Sequence, residues 1–223
     1  MREYQKINSV YKRDPKDGYK TMLVGAYSEP EFRFLKDCEW VFTEKVDGTN
    51  VRVIVDHGTI TFKDKTDKAV LPEKLETRLH DLFDGHDKIH EMFPGAVCLY
   101  GEGYGAGIQK GGGNYSQIQD FVLFDVMVGE WMLRREDVEL IGANLGIPVV
   151  PIVGRGSLNK MELLVREGMA STWHGDFLSE GIIAKPSVEL KTRAGHRLIT
   201  KLKTRDFDNW RQVSPLQAKE LET

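Results

Sequence analysis

Alternating polar and apolar positions predict two adjacent strands in the first third of the chain. Residues 40–46 are rich in β-forming residues and are expected to form a strand. Residues 51–56 have an alternating pattern, and a His-Gly pair at residues 57–58 separates them from the β-rich residues 59–62. This pattern is typical of a β-hairpin that begins shortly after Lys45.

Three further segments have apolar residues at the spacing of an amphipathic helix. The first is expected to open at Pro72, because proline is favoured in the first turn of a helix. The second covers residues 135–145, and the third covers residues 159–167 with Asn159 as its predicted cap. A glycine directly follows each of the last two segments and is expected to end the helix.

Short apolar runs predict further strands at residues 97–100, 121–128, 181–184 and 198–202. A glycine-rich loop is expected at residues 101–113. The strands and helices do not alternate as they do in βαβ units. We therefore predict an α+β fold with antiparallel sheets.

The composition indicates a globular protein of a reducing compartment. The 223 residues are 40% hydrophobic and 29% charged, and the formal net charge of -3 argues against a general nucleic-acid coating protein. No apolar run is long enough to span a bilayer, and the first residues do not form a signal peptide. Cys38 and Cys98 provide neither a disulfide framework nor zinc spacing. We expect a monomeric, cytoplasmic protein without a membrane segment.

Positive charge is concentrated near the end of the chain. Eight lysine or arginine residues occur from Lys185 to Arg211, where only Glu189, Asp206 and Asp208 oppose them. Such a cluster is suited to binding phosphate groups. The alternative is a solvated surface on a C-terminal hairpin.

Residues 43–50, Thr-Glu-Lys-Val-Asp-Gly-Thr-Asn, form the most informative motif. A lysine beside a rigid Asp-Gly bend can attack phosphorus when its amine is neutral, which neighbouring positive charges favour. Alone, the motif also fits a simple hairpin turn with a solvated Lys45. Four later fragments favour the catalytic interpretation, and they lie at residues 101–103, 124–125, 180–186 and 201–203.

In this order the fragments resemble the covalent nucleotidyltransferase superfamily of ATP-dependent ligases and capping enzymes. The chain is most similar to the small phage and bacterial RNA ligases, and the resemblance covers residues 6–207. It implies the adenylation-domain fold, in which antiparallel sheets flank an ATP cleft. It also implies ATP and either Mg²⁺ or Mn²⁺ as cofactors.

The resemblance implies a role for each matching side chain. Lys45 would take AMP in a phosphoramidate bond, and Lys201 and Lys203 would hold the α-phosphate. Glu180 would help to place the metal ion, and Glu102, a second expected metal ligand, matches the acid that contacts the ribose. The other residues expected to bind the nucleotide are Thr43, Glu44, Asn50, Lys65, Phe124 and Lys185.

Several of these residues also have simpler explanations. Phe124 matches the aromatic residue that stacks on adenine, but phenylalanine is more often part of a core. Glu180 alone would be a surface acid, and a Lys-x-Lys pair is usual on the solvated face of a strand. Lys65 stands where the family usually has an arginine, and a lysine cannot form the bidentate fork of arginine.

The chain ends at Thr223, 20 residues after Lys203. We therefore expect a single nucleotidyltransferase domain over residues 1–223, without a separate C-terminal OB or helical domain. Because capping enzymes carry the OB domain and NAD-dependent enzymes carry a further N-terminal domain, this organisation favours ATP over GTP or NAD as the nucleotide donor.

We expect an ATP-dependent RNA ligase that joins 5′-phosphate and 3′-hydroxyl ends through a lysyl-AMP intermediate. A ligase of DNA or of mixed strands, including hybrid duplexes, and an RNA-end-binding module with a vestigial nucleotide pocket are the alternatives. A dinucleotide-binding fingerprint at residues 101–106 is a weak signal, because the loop that follows does not open a helix. His86 and His90 lack the glutamate of the metalloprotease pattern and indicate a surface helix.

Overall fold

A computed structural model describes residues 3–67, 69–84, 87–173 and 177–208. These residues form two compact units. The first unit contains Val46–Val150 together with residues 3–4. The second unit contains Gln5–Lys45 together with Pro151 and the described residues that follow it.

Short strands and helices make up both units. In chain order the strands are β1 (Asn8–Ser9), β2 (Tyr11–Arg13), β3 (Met22–Tyr27), β4 (Trp40–Glu44), β5 (Thr49–Asp56), β6 (Thr59–Asp64), β7 (Val97–Tyr104), β8 (Asp120–Val128), β9 (Trp131–Met132), β10 (Ile152–Gly156), β11 (Gly181–Pro186) and β12 (Thr200–Lys203). The helices are α1 (Pro30–Phe34), α2 (Glu73–Phe83), α3 (Asp87–Met92), α4 (Gly112–Tyr115), α5 (Arg135–Leu145) and α6 (Leu158–Glu167). Two short 3-10 turns lie at Pro15–Asp17 and Thr204–Phe207.

The first unit contains an antiparallel sheet in the order β6-β5-β7-β8-β9. The valines of β5 alternate onto a face that packs with Leu75, Leu79 and Phe83 of α2 in the main core of this unit. Burial of these apolar residues is the main force that holds the helix on the sheet. The predicted hairpin β5–β6 and helices α2 and α5 are confirmed, and Gly146 ends α5 with a φ of 69°.

Strand β7 is longer than its sequence predicts. The expected glycine-rich loop begins at residue 101, but β7 continues to Tyr104. A Cβ atom at Gly101 would lie 2.2 Å from the ring of Phe121, and one at Gly103 would lie 2.3 Å from Leu75. These glycines therefore provide space for core side chains within a strand, which overrides their usual preference for loops.

The second unit contains a sheet in the order β1-β12-β11-β4-β10 and a separate two-stranded sheet of β2 and β3. Strand β1 pairs with β12 in parallel, whereas the other pairs are antiparallel. Trp40, Phe42, Ile182 and Leu202 are fully buried in the core of this unit, which also contains the inner face of α6.

Several predicted boundaries in this unit are wrong. The strand predicted at residues 40–46 ends at Glu44, and the strand predicted at residues 181–184 continues to Pro186. The cap of α6 is Ser157, not Asn159, because the Ser157 hydroxyl accepts a hydrogen bond from the backbone N–H of Lys160 at 3.2 Å. The strand predicted at residues 198–202 lies at Thr200–Lys203. Within the described residues, no helix is long and apolar enough to cross a membrane.

Candidate active site

One face of the sheet in the second unit carries five of the side chains that the sequence selects. Side chains alternate along a strand, so Thr43 and Lys45 lie on the face opposite to the buried Phe42. The register aligns Thr43 with Ile183 and Ile183 with Lys201. The selected side chains on this face are therefore Thr43, Lys45, Lys185, Lys201 and Lys203.

Glu180 connects two of these lysines. Its Oε2 atom lies 2.5 Å from Nζ of Lys45, and its Oε1 atom lies 2.7 Å from Nζ of Lys203. The three side chains are between 14% and 21% exposed, so bulk water screens the pairs only partly. The arrangement holds two ammonium groups on opposite sides of one carboxylate.

The pKa of Glu180 lies below its ordinary value. Burial raises the pKa of this carboxyl, but the positive charge of Lys45 and the hydrogen bonds from Lys203 and Lys45 together outweigh burial. The carboxylate therefore stays ionised across the neutral range and keeps both amines in place.

A glycine makes the position of Glu180 possible. The next residue, Gly181, has a φ of 152°, and a Cβ atom there would lie 2.0 Å from the carbonyl oxygen of Leu202. The carbonyl of Gly181 also accepts a hydrogen bond from the backbone N–H of Lys45 at 2.9 Å. This backbone contact brings Lys45 beside Glu180, although Lys45 lies just beyond the end of β4.

Glu44 has a different environment from its neighbour Lys45. Its side chain is on the buried face of the sheet, and the residue is 1% exposed. Its carboxylate accepts hydrogen bonds from the Ser171 hydroxyl at 2.6 Å and from the backbone N–H and hydroxyl of Thr172 at 2.8 and 2.7 Å. The carboxylate thus fixes the segment at residues 171–172, a connection that the sequence does not indicate.

The first unit carries the other selected residues. Asn50 of β5 pairs directly with Glu102 of β7, so the two side chains lie on the same face of the sheet. This face is opposite to the one that carries the alternating valines of β5. Both residues are half-buried.

The Oδ1 atom of Asn50 is buried and has no hydrogen-bond partner within the described residues. A buried acceptor without a partner costs about 1–3 kcal/mol. A ligand that carries a hydroxyl or amino group would satisfy it. The ribose or base of a nucleotide therefore fits this position.

Phe124 lies at a β-bulge. The pairing between β7 and β8 shifts register between Tyr100 and Gly101, which leaves Phe124 as the extra residue of β8. Its half-buried ring packs against Tyr4 with a centroid distance of 5.0 Å and an interplanar angle of 71°. Phe124 is thus part of a small cluster on the Asn50 face rather than of the main core.

The Asp-Gly bend of the lysine motif is fixed by the glycine-rich segment of the same unit. A Cβ atom at Gly48 would lie 2.1 Å from the carbonyl oxygen of Gly103, so only glycine fits there. The backbone N–H of Gly111 donates to Oδ2 of Asp47 at 3.2 Å. The bend is therefore held by tertiary contacts and is not a freely exposed hairpin turn.

Lys65, matched to the usual arginine, is exposed and follows the end of β6. The buried cation of this region is Arg52, which is 1% exposed and lies on the same face as Asn50 by strand alternation. Arg52 donates from Nε to the carbonyl oxygen of Asp64 at 3.0 Å and from Nη2 to Asp67 at 2.7 Å. In the sequence Arg52 stands between Val51 and Val53. This alternation could have indicated that Arg52 lies on the face of Asn50.

The two expected metal ligands lie in different units, Glu180 in the second and Glu102 in the first. The described residues contain no group of three or more histidine, cysteine, aspartate or glutamate side chains arranged to hold a metal ion. Carboxylate oxygens are nevertheless the donors that Mg²⁺ prefers, and Mg²⁺ is often held by one or two carboxylates and by substrate phosphates. The carboxylate oxygens of Glu180 and Glu102 are therefore of a type that fits Mg²⁺.

His90 is half-buried in α3, whereas His86 and Arg211 lie outside the described residues.

The family model described as RNA ligase matches residues 38–203. No curated protein matches the chain by sequence. Solved structures of the Naegleria gruberi RNA ligase have a similar fold. A variant with ATP and Mn is 16% identical with a TM-score of 0.63, and the match covers 82% of this chain and 54% of that chain.

Two other structures of that ligase give comparable matches. An apo variant is 15% identical with a TM-score of 0.64, and the match covers 95% of this chain and 60% of that chain. The ligase with PPi is 17% identical with a TM-score of 0.63, and the match covers 94% of this chain and 60% of that chain. The chain thus spans less than two thirds of the length of these ligases, and the similarity establishes the fold.

Proposed function

Because the chain belongs to the RNA ligase family, we propose that it is an ATP-dependent RNA ligase that works through a covalent lysyl-AMP intermediate. The observation that carries the proposal is the contact of Glu180 with both Lys45 and Lys203. A lysine amine held beside a second fixed cation is suited to attack on a phosphate, because the cation stabilises the charge that develops.

In the first step, the neutral amine of Lys45 attacks the α-phosphorus of ATP. A nitrogen–phosphorus bond forms, the bond from the α-phosphorus to the bridging oxygen breaks, and pyrophosphate leaves. Lys201 and Lys203 stabilise the negative charge on the α-phosphate. Glu180 orients the amine, and Lys203 continues to hold the carboxylate at 2.7 Å while the proton lost by Lys45 goes to solvent.

We assign the nucleoside part of ATP to the sheet face that carries Asn50, Glu102 and Phe124. The orphaned Oδ1 of Asn50 and the carboxylate of Glu102 would accept hydrogen bonds from ribose hydroxyls, and Phe124 would stack on the base. Thr43 and Lys185 share the face of Lys45 and are suited to contact the phosphates. A Mg²⁺ or Mn²⁺ ion held by the Glu180 carboxylate together with the phosphates would neutralise part of the phosphate charge when bound.

The two later steps transfer AMP and then release it. The 5′-phosphate of an RNA end attacks the phosphorus bound to Lys45, which breaks the nitrogen–phosphorus bond and joins AMP to the RNA. A 3′-hydroxyl then attacks the 5′-phosphate, a phosphodiester bond forms and AMP leaves. Each step exchanges one phosphorus bond for another, so no further energy source is required.

Sealing assays with matched substrates test the proposal. Nicked duplexes and single strands would carry RNA or DNA on either side of the junction, with ATP, GTP or NAD as donor. We expect sealing with ATP and an RNA 3′-hydroxyl end, at equal rates in the wild type and in the surface variant Lys36→Ala. Equal or faster sealing of DNA 3′-hydroxyl ends would contradict the RNA assignment, and preference for GTP would contradict the nucleotide assignment.

A further inference from the structure

The second unit contains a large groove that the proposed chemistry does not use fully. Its volume is about 1560 Å³, and its walls include residues of β1, β2, β12, α6 and the segment at residues 19–22. Eight lysine or arginine residues and three acidic residues line it, although the whole chain has a net charge of -3. The groove is therefore a local basic surface on an acidic protein, which favours a ligand with several negative charges.

Asp206 provides an unusual acceptor in this groove. Its side chain is only 4% exposed, and its Oδ1 atom pairs with Nη2 of Arg13 at 2.7 Å. Its Oδ2 atom is buried and has no hydrogen-bond partner within the described residues. Because Arg13 already balances the charge of Asp206, a ligand that offers a neutral donor such as a hydroxyl would satisfy this acceptor.

Tyr19 provides an aromatic surface in the same groove. Tyr19 is 65% exposed. Its backbone has a φ of 65°, which is rare for a bulky residue. The turn maintains this conformation, because the Tyr19 N–H donates to the carbonyl of Asp14 at 2.8 Å and the carboxylate of Asp17 accepts from the next two N–H groups. Strained residues that the surrounding structure fixes are often functional.

The charges of the groove are arranged in a way that leaves cations for a ligand. Lys12 and Lys20 are exposed on the strand and turn that flank Tyr19. The acidic Glu162 accepts a hydrogen bond from the hydroxyl of Tyr11 at 2.5 Å and lies 3.7 Å from Arg166. Its charge is thus balanced inside the groove wall.

We propose that this groove binds a strand of the RNA substrate, with Tyr19 stacking on a base, Lys12 and Lys20 contacting phosphates, and Asp206 accepting a hydrogen bond from a ribose 2′-hydroxyl. Each contact matches one part of a ribonucleotide strand. A polyphosphate would use only the cations, and a DNA strand would leave the Asp206 acceptor unsatisfied. The proposal rests on the proposed function for the identity of the substrate as RNA.

Binding of fluorescein-labelled single strands of RNA and DNA of one sequence, without ATP, tests this groove by fluorescence polarisation. We expect Tyr19→Asn to lower the affinity for both the RNA and the DNA strand about tenfold, because asparagine tolerates a positive φ but cannot stack on a base. The double variant Lys12→Ala/Lys20→Ala should lower the slope of log affinity against log salt by about 1.4, or about 0.7 for each phosphate that is no longer neutralised. Asp206→Asn should lower the ratio of RNA to DNA affinity about tenfold.

Matched controls use residues outside the groove. Lys16→Ala removes one charge from the same turn, and Phe34→Ala removes an aromatic ring that is 86% exposed elsewhere in the unit. Neither should change affinity. An RNA strand with 2′-O-methyl groups, which cannot donate, should bind the wild type as weakly as DNA, and this arm needs no protein variant.

Two outcomes overturn the proposal. If only the lysine pair affects binding, the groove is a general anion surface; if the 2′-O-methyl strand binds as tightly as RNA, Asp206 does not recognise the 2′-hydroxyl. Labelling of Lys45 by ATP in the absence of RNA separates this proposal from the proposed function. The groove variants should retain that labelling, so its absence from the wild type would contradict the enzyme assignment and not the groove.

Discussion

Oε2 of Glu180 lies 2.5 Å from Nζ of Lys45, although 135 positions separate the two residues in the chain. Glycine at position 181 and the backbone hydrogen bond from Lys45 to its carbonyl bring them together. Lys203 occupies the other oxygen of the same carboxylate at 2.7 Å. The nucleophile that we propose is therefore positioned by an ion-pair network whose strength depends on the ionisation of one acid.

Glu180→Gln tests the ionisation of this network through its pH dependence. The pKa of Glu180 in the folded protein is below its ordinary value of 4.5, so the acid stabilises the fold above pH 4.5, and this contribution disappears as the pH falls through the folded pKa. We expect the melting temperature of the wild type to exceed that of the variant at neutral pH. The difference should vanish in strong acid, and a difference that stays constant over this range would contradict the network.

Asn50→Ala separates nucleotide binding from folding. Because the Oδ1 atom is buried without a partner within the described residues, its removal should not lower the melting temperature and should raise it slightly. The KM for ATP in the labelling of Lys45 should rise about tenfold through loss of a hydrogen bond to the ligand. Thr61→Ala, an exposed change on the neighbouring strand β6, serves as the control and should alter neither quantity. Equal KM values for Asn50→Ala and the wild type would refute this role.

Gly48→Ala tests the packing of the lysine motif. The new Cβ atom would lie 2.1 Å from the backbone carbonyl oxygen of Gly103, which cannot move without disturbing β7. We expect the free energy of unfolding to fall by about 3 kcal/mol in urea titrations. Gly95→Ala introduces the same methyl group where no atom lies within 4 Å and should be tolerated. Similar stabilities of the two variants would show that Gly48 is not sterically required.

Glu44→Gln tests whether the buried carboxylate holds the segment at residues 171–172. One acceptor oxygen would be replaced by an amide that faces the donors of Ser171 or Thr172. We expect a loss of about 2 kcal/mol in the free energy of unfolding. Glu39→Gln, an exposed change on the same segment of the chain, should have no such effect. A normal stability with an increased KM for ATP would instead indicate a direct contact with the nucleotide.

Local sequence patterns correctly predicted the strands and helices in which buried residues recur at a regular spacing. The alternating valines of β5 identified the hairpin, and the apolar face of α2 identified that helix, because one side of each packs on a core. The order of the short motifs also identified the family to which the chain belongs.

Long-range contacts determined what the sequence did not predict. Gly101 and Gly103 suggested a loop, but the packing of Phe121 and Leu75 requires them in a strand. The bulge at Phe124 depends on register with β7, which no local pattern encodes. The pairing of Glu44 with Ser171 across the second unit was missed for the same reason, because the sequence does not reveal which donors meet a buried acid.

Covalent labelling of Lys45 tests the central claim most directly. The wild type would be incubated with Mg²⁺ and ATP labelled at the α-phosphate, followed by intact-mass measurement and peptide mapping. We expect one AMP per chain, located on Lys45, with full labelling of Lys36→Ala and none of Lys45→Ala. Undiminished labelling of Lys45→Ala, or AMP located on another residue, would contradict the claim that Lys45 is the nucleophile.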